Sequence, residues 1–177
     1  MSKVRWGIIG TGSIASAFAH SIKHCNHSEL SAVFGRNKET LQIFSQKFDV
    51  AGINDIDELV VSNSIDAIYI ATPHSSHFEY ALQAIKNNKH VLCEKPIAMN
   101  HIESMVLFGL AKDCGVFLME AYMYRTHPQT FNILKNIESL CDTNEKVEIN
   151  ASFGFHAEIP KDHRLRNPML GGGAIMD

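Results

Sequence analysis

Residues 4–15 read V-R-W-G-I-I-G-T-G-S-I-A, and the residue types at the end of this run suit the binding of a phosphate. A β-prone stretch, residues 4–9, stops at Gly10-Thr11-Gly12-Ser13-Ile14-Ala15. That is the G-x-G-x-x-[G/A] spacing of a dinucleotide-binding turn. Gly10 lets the chain turn sharply out of a strand. Gly12 has no side chain, so backbone N–H groups can approach a pyrophosphate. Ala15 is small enough for the following helix to pack on the strand. An anion there meets a helix N-terminus, where unpaired N–H groups and the dipole favour it. Ser13 suits an N-cap or a further phosphate donor. Gly10, Thr11, Gly12, Ser13 and Ile14 are therefore the candidate phosphate-binding set. The bare pattern also fits a tight strand-to-helix turn with no ligand. A strand before and a helix after are the context that the binding reading requires.

A second strand is predicted over residues 30–34, and Gly35-Arg36-Asn37 follows it. A NAD-binding domain usually carries Asp or Glu at this point for the ribose 2′-hydroxyl. No acid stands here, and Arg36 does. A guanidinium pairs with a 2′-phosphate and stacks on adenine. The site therefore leans to NADP, with NAD the alternative, and a solvated loop arginine is the competing reading. His24-x-x-His27 and His74-x-x-His77 have a spacing that suits a metal. Neither has a Cys or acid partner at ligand spacing, so no metal site is expected. Cys25, Cys93, Cys114 and Cys141 are scattered, with no C-x-x-C pair. They read as free thiols of a reducing cytoplasm. Cys93 falls in a predicted buried strand and is expected to be inert.

These residues need a scaffold, and the hydrophobic pattern supplies one. Ile14, Ala17, Phe18, Ser21 and Ile22 follow helical spacing after the turn. Residues 38–48 form a helix with Leu41, Phe44 and Phe48 on its buried face. Residues 55–60 form a short helix, with acids near its N-terminus as the dipole prefers. The near-continuous apolar run 66–71 suits a parallel strand covered on both faces. Thr72-Pro73-His74 breaks it, and a helix starting at Ser75 or Ser76 reaches residue 88. A strand over 90–93 ends in Glu94-Lys95-Pro96. A helix over 101–114, closed by Gly115, and a strand over 116–119 follow. This alternation predicts an α/β fold with an open, mostly parallel, doubly wound sheet and right-handed connections. Residues 1–120 form this dinucleotide-binding domain. Composition changes near Glu120, and residues 121–177 read as the opening of an α+β substrate domain. It holds a helix over 128–140, a polar loop and a strand over 147–155.

The chain has 177 residues, enough for one domain and part of another. Hydrophobic residues make up 45 % and charged residues 20 %, the balance of a globular protein. The net charge of −3 argues against nucleic acid or an anionic membrane as partner. No apolar run approaches the roughly 20 residues of a membrane span. Lys3 and Arg5 precede too short an apolar stretch for a signal peptide. The expected location is the cytoplasm.

Five runs then agree in order. They are G-T-G-S-I-A (10–15), A-T-P-H-S-S-H (71–77), E-K-P (94–96), M-E-A-Y-M-Y-R-T-H-P (119–128) and N-P-M-L-G-G-G-A-I-M-D (167–177). Together they resemble the family of glucose–fructose oxidoreductase, inositol dehydrogenase and their relatives. The G-x-G turn is shared with many folds; the E-K-P joined to the late G-G-G-A-x-x-D is far more discriminating. The late run looks most like the branch of dihydrodiol dehydrogenase and NADP-dependent xylose dehydrogenase.

The resemblance implies a Rossmann domain and an NADP-dependent enzyme. Hydride would pass between the nicotinamide and a CH–OH carbon of a sugar, polyol or cyclic diol. Lys95 matches the family lysine beside nicotinamide and substrate. Loss of hydride from a carbinol requires loss of the hydroxyl proton, which a positioned cation or base assists. Asp177 matches the family's active-site Asp. Thr72 and Pro73 match the cofactor-lining loop. Glu94 and Pro96 shape the turn and hold the ribose side, with a cis bond expected at Pro96. His77 matches the family's T-P-x-x-x-H and is placed with the cofactor set, a structural role being the equal alternative. Arg125 joins the same set. Its neighbours Tyr122, Tyr124 and Phe131 fit a substrate cleft and core packing equally. The family continues past Asp177 to a Tyr or His, so the chain reads as the N-terminal part of a longer, homo-oligomeric enzyme. The competing function is a truncated, catalytically inactive NADP-binding regulator or scaffold.

Overall fold

The computed structural model describes residues 2–141 and isolated positions between 148 and 169. Its backbone builds one six-stranded sheet in the order β3-β2-β1-β4-β5-β6. The strands are β1 (Val4–Ile9), β2 (Ser28–Phe34), β3 (Ala51–Ile53), β4 (Ala67–Ile70), β5 (His90–Cys93) and β6 (Leu118–Glu120). Every neighbouring pair is parallel. Parallel neighbours need crossovers, and the helices supply them: α1 (Ser13–Ile22), α2 (Lys38–Phe48), α3 (Ile56–Val61), α4 (His77–Lys86) and α5 (His101–Asp113). All four residues of β4 are buried, which explains its unbroken apolar run. Ile8 and Tyr69 pack into one core, and Ile9, Ile68 and Ile70 into another. The sheet is thus covered on both faces, as the doubly wound reading requires. Chain order reverses at β1, which pairs with β2 on one side and β4 on the other. The crevice beyond the C-terminal ends of these strands is where such folds bind ligands.

Local chemistry explains the helix ends. Asn37 caps α2, its side chain accepting from the N–H groups of Glu39 and Thr40 at 3.0 Å. Leu41, Phe44 and Phe48 then fall on the buried face, as their spacing predicts. Asp55 caps α3. Asn100 caps α5 by accepting from Glu103 N, and the Glu103 carboxylate accepts in turn from Met99 N. Gly115 closes α5 at φ +68°.

Three expectations are corrected. The buried face of α1 is Ala15, Ala19 and Ile22 with Phe18 beside it, whereas Ile14, Ala17 and Ser21 are exposed. Residues 15, 18, 19 and 22 make one continuous helical stripe, and residues 14, 17 and 21 fall on the neighbouring one, which faces water. β3 has no counterpart among the predicted strands. Its three residues, A-G-I, are mostly exposed and hold no apolar run; they form a strand through backbone pairing with β2. The helix predicted to begin at Ser75 or Ser76 begins instead as a 3-10 turn, His74–Ser76, before α4.

The described residues divide into two compact units, the second opening at Tyr122. This second unit contains a 3-10 turn, Met123–Thr126, and α6 (Pro128–Cys141). The Thr130 hydroxyl donates to Tyr124 O at 2.5 Å and ties the turn to the helix. The strand expected over 147–155 and the run 171–177 lie outside the described residues.

Candidate functional site

β1 delivers the chain to Gly10, which adopts φ +116°. A Cβ at Gly10 would lie 2.5 Å from the carbonyl oxygen of Ala71, so only glycine fits between β1 and β4. Gly12 is different. It is the N-cap of α1, its backbone is extended, and a Cβ there would meet nothing within 4 Å. The space in front of it is open. Ser13 is the first residue of the helix and not its cap, and no side chain caps α1. The first-turn N–H groups of α1 are thus left to another partner, whereas α2, α3 and α5 have side-chain caps.

Gly10, Thr11 and Gly12 line a cleft of about 540 Å³. Gly35 and Arg36 line its wall from β2, and Thr72 and Pro73 line it from β4. Among the described residues no acid lines the cleft, and Arg36 is the charged residue in it. Asn37 and Thr40 also contribute, Asn37 through the loop that caps α2. The Thr11 hydroxyl donates to Thr40 Oγ1 at 3.0 Å and joins the turn to α2. Tyr80 of α4 completes the wall, its ring edge-on to Phe34 at 5.9 Å. Sequence reasoning missed Tyr80, Asn37 and Thr40, for which no motif position gives a signal.

The second group of candidates stands at the end of the neighbouring strand. Glu94 N donates to Ile70 O at 2.9 Å, so the turn begins where the β4–β5 ladder stops. The Lys95–Pro96 peptide is cis. Three side chains hold this turn. The Tyr69 hydroxyl donates to Glu94 Oε1 at 2.5 Å. Burial and the adjacent carboxylate push the Tyr69 phenol far up, so it remains a donor. Glu120, at the end of β6, accepts from Ile97 N at 2.8 Å. His77 is fully buried, with Nδ1 2.7 Å from Pro96 O and Nε2 2.8 Å from Thr72 O. His77 therefore does not line the cleft: both ring nitrogens face protein carbonyls, and the cofactor placement gives way to the structural one. The Tyr69 and Glu120 contacts have no signal in the sequence.

Arg125 belongs to the second unit, where it is exposed in the 3-10 turn and its N–H donates to Tyr122 O at 3.1 Å. Tyr122, Tyr124 and Phe131 are exposed among the described residues. Asp177 lies outside the described residues. Cys93 is buried at the end of β5, as expected, and burial pushes its thiol well up, away from the reactive thiolate. Among the described residues no three His, Cys, Asp or Glu side chains gather as a metal would need. No helix among them is long and apolar enough to cross a membrane.

A strand order reversing at β1, a glycine turn at that point and an uncapped helix start define a nucleotide-binding Rossmann domain. The family model described as "Oxidoreductase family, NAD-binding Rossmann fold" matches residues 4–122, and the chain belongs to that family. It is 33 % identical to D-xylose 1-dehydrogenase (NADP(+)) of Hypocrea jecorina, over 98 % of this chain and 50 % of the relative. It is 32 % identical to trans-1,2-dihydrobenzene-1,2-diol dehydrogenase of Xenopus tropicalis, over 98 % of this chain and 52 % of that relative. Among solved structures it resembles a 3-ketoreductase of Actinomadura kijaniata in complex with NADP and TDP-benzene. The TM-score is 0.73 at 27 % identity, over 78 % of this chain and 43 % of that one. The chain spans about half the length of the curated relatives it matches.

Proposed function

We propose that this chain is the cofactor-binding part of an NADP-dependent oxidoreductase acting on a CH–OH group of a sugar, polyol or cyclic diol. One observation carries the reading: the cleft at the chain reversal is lined by an open glycine turn and by Arg36, with no acid among its described residues. The residues fit the nucleotide. Uncapped N–H groups at the start of α1 suit the pyrophosphate. Arg36 on the cleft wall supplies a cation that suits a 2′-phosphate. The relatives are named as dehydrogenases of xylose and of a dihydrodiol, both substrates of this class.

Bound NADP supplies a hydride acceptor at its nicotinamide ring. The protein must then manage the hydroxyl proton and the negative charge left on oxygen. Lys95 takes that role: its ammonium stabilises a developing alkoxide, or its amine takes the proton. Glu94 and Pro96 keep the lysine's turn in shape. Asp177 orients the neighbouring proton-transfer group. Residues 121–177 open the substrate domain, and the whole protein is a cytoplasmic homo-oligomer.

The test uses the protein extended to the length of its relatives. NADPH formation is followed with xylose, inositol and a trans-dihydrodiol. Lys95→Ala should lower kcat by about 10²–10³ while NADP affinity holds, because the charge it meets appears only in the transition state. Full activity in Lys95→Ala refutes the assignment.

A further inference from the structure

His77 opens α4, is fully buried, and stands between two segments that serve different parts of the site. Its Nε2 is 2.8 Å from the carbonyl of Thr72, a residue of the phosphate cleft. Its Nδ1 is 2.7 Å from the carbonyl of Pro96, which directly follows Lys95. Both are hydrogen-bond lengths. Carbonyl oxygens only accept, so a neutral imidazole, with one N–H, bonds one of the two, and a protonated ring, with two, bonds both; a ring donating from both nitrogens ties the two segments together. The β4–β5 ladder reaches only as far as Glu94 N on Ile70 O, and beyond it the two strands run into separate loops. The Thr72 side is pinned again by the Ser76 hydroxyl, which lies 2.9 Å from Thr72 Oγ1 and 2.8 Å from Pro73 O. A force on the cleft wall at Thr72 therefore has a short, rigid route to the lysine's backbone.

We propose that His77 is a positioning residue that couples the cleft wall at Thr72 to the turn carrying Lys95, so that a nucleotide in the cleft steadies the lysine. This rests on the NADP reading. A histidine that merely fills the core would hold both loops whether or not the cleft is occupied. A coupling residue transmits occupancy from one to the other, and that difference is measurable.

The probe is 2′-phospho-ADP-ribose, which keeps the adenine, 2′-phosphate and pyrophosphate of NADP and lacks the nicotinamide. Slowed exchange at the Lys95 turn then cannot come from a ring lying over it. Amide hydrogen exchange is followed at residues 10–15, 71–77 and 94–98 with and without the probe. The two test variants are His77→Gln, whose amide sits near Nε2 and keeps the Thr72 bond alone, and His77→Asn, whose amide sits near Nδ1 and keeps the Pro96 bond alone. In the parent the probe should slow exchange of the Lys95, Ile97 and Ala98 amides by about threefold or more. Both variants should still bind the probe and protect residues 10–15, and both should lose the slowing at 94–98. Persistence of that slowing in both variants overturns the proposal, as does its absence in a parent whose residues 10–15 are protected. Loss of the folded transition in both variants overturns it too, since His77 then holds the fold as a whole. A parent in which neither the probe nor NADP protects residues 10–15 defeats the cofactor reading instead.

Discussion

Gly10 and Gly12 stand two residues apart in one motif, and the same kind of change should have opposite effects at each. At Gly10 the backbone sits at φ +116°, and an added Cβ would come within 2.5 Å of Ala71 O. The obstacle is backbone of the β4 end, which cannot rotate away as a side chain can. A non-glycine residue in such a conformation costs about 1–3 kcal/mol, and the contact adds to that. A loss of about 3 kcal/mol lowers the melting temperature of a domain this size by about 6–12 °C. At Gly12 the backbone is extended and the added Cβ meets nothing within 4 Å. Gly12→Val should therefore fold nearly as well as the parent, losing about 1 kcal/mol or less through a poorer N-cap. Its side chain fills the space in front of the α1 amides, so NADP affinity should fall at least about tenfold, or 1.4 kcal/mol. The assay is thermal unfolding of Gly10→Ala and Gly12→Val beside NADP titration of Gly12→Val. An unchanged melting temperature in Gly10→Ala refutes the packing argument. An unchanged NADP affinity in Gly12→Val refutes the phosphate role of the turn.

Two further outcomes follow from single residues. Arg36→Asp should reverse the cofactor preference, because a carboxylate repels a 2′-phosphate and accepts from a 2′-hydroxyl. Charge-assisted bonds of this kind contribute about 1.5–3 kcal/mol, so Arg36→Ala alone should weaken NADP about tenfold or more, and competitive titration with both cofactors reads it. Asp66 makes an ion pair with Arg5 at 2.6 Å, and the hydrogen bonds from Arg5 hold its carboxyl at about 2. A depressed carboxylate contributes stability above its unfolded value near 4, and that contribution is lost as pH falls toward 2. The pair is more than one-third exposed, so the loss is modest and salt-sensitive. Asp66→Asn should flatten the acid limb of the melting curve between about pH 4 and 2, and an unaltered limb would count against the pair.

The parts legible in the sequence are those governed by local pattern. The i, i+3, i+7 spacing of Leu41, Phe44 and Phe48 marks the buried face of α2 because nothing else competes for that stripe. The apolar run around β4 is readable because a strand covered on both faces has no alternation to hide. β3 is not readable, since its three residues are recruited by the free edge of β2 and not by any pattern of their own. In the site, glycine spacing marks the turn and the missing acid marks Arg36. Tyr69, Glu120 and His77 hold the Lys95 turn from three different elements, and such contacts appear only once the sheet order brings those elements together. His77 shows the limit most clearly: its motif position points to the cofactor, and its burial between two carbonyls points beneath it.

The most direct measurement is a calorimetric titration of the 177-residue chain with NADP and, separately, with NAD. The expected result is one site for NADP, with NAD weaker by about tenfold or more, the preference that a single Arg36–phosphate pair confers. Failure of both nucleotides to bind, or equal affinity for the two, contradicts the assignment of the cleft.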